Sequence, residues 1–148
     1  MKIEEYLDYR TQLLIDSSDD EAFFQKSLLL SEILPLMMDA KLIDSEDFNE
    51  VYFFSKERNI EINAYTVNES GERLQVFIID HDSVNLAAQR EQLLVSKKEK
   101  YNVIFRKISG LVKSFFSNST LNDIQDSDPI RPLITKLASS SGKQQFDV

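Results

Sequence analysis

Residues Ile60 to Asp82 read IEINAYTVNESGERLQVFIIDHD. Apolar residues alternate on both sides of Asn68-Glu69-Ser70-Gly71-Glu72, whose polar side chains and single glycine mark a hairpin loop. Alternation sets the strand period and the loop sets the register. Ile60, Ile62, Ala64 and Thr66 therefore share one face of the first strand, with Glu61, Asn63 and Tyr65 on the other. The second strand, Leu74 to Asp80, is more apolar and is expected to be covered on both faces. It leads into Asp80-His81-Asp82, where the chain's single histidine meets carboxylates. Upstream, Val51–Ser55 is β-rich, and Lys56-Glu57-Arg58-Asn59 makes a polar turn into Ile60. Three strands joined by short polar turns predict an antiparallel meander.

Helices are expected on both sides of it. Ile3–Ile15 carries Ile3, Tyr6, Leu7, Leu13 and Leu14 at helical spacing and ends in Ser17-Ser18-Asp19-Asp20. Ser18 or Asp19 is the expected N-cap of a second helix from about Glu21 to Ala40, which Pro35 should kink or divide. Ser83–Val95 reads equally as a short helix or an extended connection. Ser96 then caps a long amphipathic helix, Lys97–Phe116, with Tyr101, Ile104, Phe105, Ile108, Leu111, Val112, Phe115 and Phe116 as its apolar stripe. Asp128-Pro129 opens a last helix to about Ser139, with proline in the first turn, where its missing N–H costs little. Lys143–Val148 looks like the start of another strand, which suggests a fragment of a longer chain.

At 148 residues the expectation is one α/β domain with a real core. Without cysteine there is no disulfide framework, thiolate metal site or cysteine nucleophile. Met1 leads into Lys2-Ile3-Glu4-Glu5, unlike a signal peptide. The most apolar run, Leu28–Met38, is interrupted by Ser31, Glu32 and Pro35, well short of the roughly 20 residues of a membrane span. A soluble cytoplasmic protein that does not engage membranes is expected.

The net charge of −8 is unevenly spread. Residues 1–82 hold 7 Lys/Arg against 19 Asp/Glu, a net of −12, and residues 83–148 hold 10 against 6, a net of +4. The acidic mean argues against indiscriminate nucleic-acid binding over the whole surface. The basic side of the long helix, Lys97, Lys98, Lys100, Arg106, Lys107 and Lys113, is the candidate anion-binding face. A solvated helix face is the commoner meaning of such a pattern.

Catalytic signals are fewer. Asp80, His81 and Asp82 could hold a metal, but in a strand His81 points away from the two acids. A Mg²⁺-dependent nuclease needs clustered acids and a nearby lysine. The chain offers Glu32, Glu61 and Asp80 as candidate catalytic acids, with Glu61 and Asp80 the candidate metal ligands. The third strand offers Gln75-Val76-Phe77, without the lysine. Gly71, Gly110 and Gly142 are isolated, so there is no glycine-rich phosphate loop.

The order of several blocks resembles the N-terminal region of the abortive infection phage resistance family, large bacterial proteins linked to defence against phage. The blocks are Glu21-Ala22-Phe23-Phe24, Asp39-Ala40-Lys41-Leu42-Ile43-Asp44, Ile62-Asn63-Ala64-Tyr65 and Leu74–Asp80. Phe105-Arg106-Lys107-Ile108, Phe115-Phe116 and Asp126-Ser127-Asp128-Pro129 follow in similar order. The resemblance implies a restriction-endonuclease-like α/β core that continues through a further strand. It also implies an Asp where this chain has Asn63, and an amide is the poorer Mg²⁺ ligand. A nuclease-like but non-catalytic module without cofactor is therefore expected, binding nucleic acid, a phage or host protein, or the remainder of its own chain. The alternatives are a nuclease using Mg²⁺ at displaced ligands, and a structural domain that docks on the rest of its chain.

Overall fold

A computed structural model describes residues 2–45, 47–68, 73–80 and 98–140. The expectations for His81, Asp82, Ser83–Val95, Ser96, Lys97 and Lys143–Val148 lie outside the described residues. The architecture is α/β, with helices and an open three-stranded antiparallel sheet. The chain divides into two compact units, residues 1–47 with 79–95, and residues 48–78 with 96–148.

In the first unit α1 spans Ile3–Asp16. Glu5 accepts a hydrogen bond from the Lys2 backbone N–H at 2.8 Å, and Glu4 and Glu5 favour the positive end of the helix dipole. The chain then turns sharply. Ser18 and Phe24 form an antiparallel bridge, and the Asp19 carboxylate accepts the N–H groups of Phe23 (2.8 Å) and Glu21 (3.1 Å) and the Gln25 amide (2.6 Å). Here the expectation of a helix from Glu21 fails. Asp19 serves as a local turn cap instead of a helix N-cap, competing for the same backbone donors, and α2 begins at Lys26 and runs to Asp39.

Pro35 lies inside α2 without dividing it. The C-terminal end of α2 is a Schellman motif, in which Leu42 N–H bonds Met37 C=O at 2.9 Å and Lys41 N–H bonds Met38 C=O at 2.8 Å. Lys41 takes the left-handed position (φ 58°) that glycine usually fills. Leu30, Leu34 and Ile43 are the buried hydrophobic residues described in this unit.

The second unit holds the sheet. Strands β1 (Asn49–Ser55), β2 (Ile60–Val67) and β3 (Leu74–Phe77) pair in sequence order, both pairs antiparallel. Tyr65 pairs with Asn49 and with Val76, and Ala64 with Glu50 and with Phe77. Between Glu50 and Phe53 the register shifts, so Val51 and Tyr52 oppose Asn63, with Tyr52 in a left-handed conformation (φ 44°). Asn59 (φ 48°) closes the polar turn into β2, a conformation asparagine tolerates better than most residues. The base of the second hairpin is closed by Asn68, whose N–H bonds Arg73 C=O while its side-chain oxygen accepts Arg73 N–H at 2.9 Å.

β3 stops at Phe77, short of the expected Asp80, because pairing with β2 ends at Ala64 and Phe77. The strand covered on both faces is β2, with Ile62 to Thr66 buried consecutively, while Gln75, Val76 and Phe77 on β3 are half-buried. β2 is the central strand, and its Ile60, Ile62 and Tyr65 join the core with α3 and with Ile130, Leu133, Ile134 and Leu137, whereas β3 is an edge.

Helices α3 (Lys98–Phe115), α4 (Asn118–Asp123) and α5 (Arg131–Ser140) complete the unit. The core joins Val51, Ile60, Ile62, Tyr65 and Leu74 of the sheet to Ile108, Leu111, Val112 and Phe115 of α3 and to Ile130, Leu133, Ile134 and Leu137. Each fully buried aliphatic side chain contributes roughly 1.5–3 kcal/mol relative to exposure. Phe53 meets Phe115 edge-on, ring centroids 6.0 Å apart. Asp128 accepts the Ile130 N–H at 3.0 Å in the turn before α5, and Arg131 pairs with Asp126 at 2.9 Å; the helix opens at Arg131, two residues later than expected, so Pro132 and not Pro129 occupies its first turn.

Candidate functional site

α3 is built as a two-sided helix. Its buried stripe is Ile108, Leu111, Val112 and Phe115, with Ile104 and Phe116 partly covered. The helical period then places Arg106 and Lys113 on the opposite side, with Lys98 at its edge, and all three are exposed. Lys100 and Lys107 flank the stripe instead. Lys100 is exposed, whereas the Lys107 ammonium donates to the Asn59 carbonyl at 3.3 Å and ties α3 to the β1–β2 turn. Lys97 lies outside the described residues. Five basic residues against one acid, Glu99, give α3 a strong positive bias. The expected apolar stripe holds only in its C-terminal half: Tyr101 is 39% exposed and Phe105 65%.

The same turn brings a residue that the helix pattern could not name. Arg58 extends its guanidinium over Gly110 of α3, so closely that a Cβ there would lie 2.7 Å from Nη1. Gly110 is flanked one turn away by Arg106, Lys107 and Lys113. Arg58 thus joins the basic side of α3 from a different element. The signal lay in the pair of an isolated mid-helix glycine and a turn arginine, which no local pattern connects.

The three candidate acids occupy dissimilar surroundings. Glu32 sits on α2 and is exposed, so the apolar composition of that helix does not enclose it. Glu61 is half-buried on β2, and Asp80 is half-buried beyond β3. Within neither unit do the described residues gather three His, Asp or Glu side chains into a group able to hold a cation. Asn63, at the position where the resemblance expects Asp, is fully buried in the central strand. An uncharged amide costs far less to bury there than a carboxylate. Beside it on the strand, burial pushes the Tyr65 phenol pKa up.

No helix among the described residues is long and apolar enough to cross a membrane. A small cavity of about 350 Å³ lies in the first unit between α1 and the following turn, lined by Thr11, Leu14, Ile15, Ser18, Asp19 and Ala22. None of the sequence-predicted site residues lines it.

No curated protein and no solved structure matches the chain. Residues 33–146 match the family model described as the abortive infection phage resistance protein N-terminal domain. That span takes in the second half of α2, the whole meander and α3 to α5, and so it contains both the sheet and the basic helix. The chain therefore belongs to the abortive infection phage resistance protein N-terminal domain family.

Proposed function

We propose that this chain is a nuclease-like, non-catalytic module of a phage-defence protein and that it binds nucleic acid through α3. The observation that carries the reading is the outward face of α3, where Arg106 and Lys113 stand exposed opposite the packed stripe and Lys98 is exposed at its edge. A polyanion is the ligand such a face attracts, and its binding is salt-dependent because each neutralised phosphate releases counterions. The helices around an antiparallel meander are compatible with a restriction-endonuclease-like core, and the buried Asn63 amide and the lysine-free Gln75-Val76-Phe77 favour binding over hydrolysis. A cytoplasmic setting follows from that role.

Charge reversal tests it. The triple change Lys98→Glu, Arg106→Glu, Lys113→Glu should weaken binding of a labelled oligonucleotide at least tenfold, since three phosphate contacts become repulsions. Unchanged affinity sinks the reading.

Two other roles make distinct demands. A Mg²⁺-dependent nuclease using Glu32, Glu61 and Asp80 requires metal-dependent cleavage that Asp80→Ala abolishes. A role docking on the rest of its own chain, or on a phage or host protein, is favoured by the large apolar side chains that the first unit exposes. Ile15, Phe23 and Leu42 are each at least 60% exposed.

A further inference from the structure

Phe105 is the anomaly of the second unit. It is a large aromatic side chain, 65% exposed, on a helix that has a well-packed stripe available one turn further on. Tyr101, one turn before it on the same side, is 39% exposed. These two rings border the sector that carries Lys98, Arg106 and Lys113, and Arg58 over Gly110 lies on the opposite border. Across the width of one helix the surface therefore changes from aromatic to basic.

From this juxtaposition we infer that α3 takes single-stranded nucleic acid, with bases stacked on Phe105 and Tyr101 and the phosphate backbone crossing Lys98, Arg106, Lys113 and Arg58. The inference rests on the nucleic-acid reading above and narrows it. Charge alone does not distinguish strands from duplex, because both carry phosphates. Exposed rings do, because only unpaired bases offer their faces to a protein side chain, and such stacking tolerates any sequence. The exposed rings also select this occupant over an acidic peptide, which is polyanionic but has few flat faces for Phe105 and Tyr101. Gly110 leaves the room that the guanidinium occupies: a Cβ there would force the Arg58 side chain to shift.

The test uses the whole 148-residue chain. Fluorescence anisotropy would follow a labelled oligothymidylate of about 12 nucleotides, within the usual footprint of such sites, and a duplex of the same length. Phe105→Ala should weaken single-strand binding about tenfold, the loss expected for one stacked base, and leave duplex binding unchanged. Because the ring is largely exposed, its removal leaves the core intact, which circular dichroism would verify. Arg58→Gln should reduce the slope of log affinity against log salt by about 0.7, one phosphate's worth on a single strand. Binding that ignores Phe105→Ala but falls on charge reversal overturns the single-strand inference while leaving the nucleic-acid reading standing. Failure of the unaltered chain to bind either oligonucleotide overturns both.

Discussion

Lys41 is a residue whose backbone opposes its side chain. It holds the left-handed position of the Schellman motif at φ 58°, where a Cβ crowds the following carbonyl. Lys41→Gly should therefore stabilise the first unit by about 1 kcal/mol, less the entropy glycine adds to the unfolded chain. Chemical denaturation would check it, and a loss of stability would contradict the motif. Asp19 gives a pH-dependent counterpart. Hydrogen bonds from Phe23 N–H first, then from the Gln25 amide, hold its carboxyl below the usual carboxylate range, against a smaller opposing effect of burial. A depressed folded pKa means that this stabilisation is fully present above the unfolded value, about 3.9, and is lost as pH falls through the folded value. NMR titration of the Asp19 carboxyl should give a midpoint below about 3.9. Asp19→Asn should remove that acid-side dependence.

Among the elements, α3 joins the core to the candidate binding face. Phe115 is fully buried and meets Phe53 edge-on, so Phe115→Ala should cost about 3–5 kcal/mol in the second unit, read by thermal or denaturant unfolding. Substitutions on the outward face of the same helix should leave stability nearly unchanged, because surface changes away from such contacts stay within about 0.5 kcal/mol. Separation of the two effects on one helix would demonstrate that its faces have separate tasks. The sheet teaches a related point. Ile78 and Ile79 look as strand-like as Val76 and Phe77, yet the ladder ends before them, because strand identity is a property of pairing.

Taken as a whole, the molecule is unevenly cored. The described part of the first unit buries Leu30, Leu34 and Ile43 among its hydrophobic residues, and α1 buries none, whereas the second unit has thirteen residues in one buried cluster. Local opening free energy follows buried contacts. Amide hydrogen exchange should therefore be faster along α1 than along β2 and the C-terminal half of α3. Equal protection would show that α1 is held by more than its described contacts.

Much was legible in the sequence because it is local. Alternation over Ile60–Val67 sets the bounds of β2, Lys56–Asn59 marks the turn, and the Asp128-Pro129 pair marks the last helix, since backbone geometry and neighbouring side chains settle each one. The amphipathic pattern of α3 and the family resemblance were readable for the same reason: helical spacing and block order are written along the chain. Other features depend on contacts that no periodic pattern records. Asp19 turned from helix cap to turn cap because its donors lay in the Glu21–Phe23 backbone, which only the Ser18–Phe24 bridge brings close. The tertiary structure alone decided that β2 is covered on both sides, that Phe105 stands out in solvent, and that Arg58 reaches Gly110. Burial and charge convergence depend on which elements become neighbours, and a periodic pattern records which face is apolar but not what will cover it.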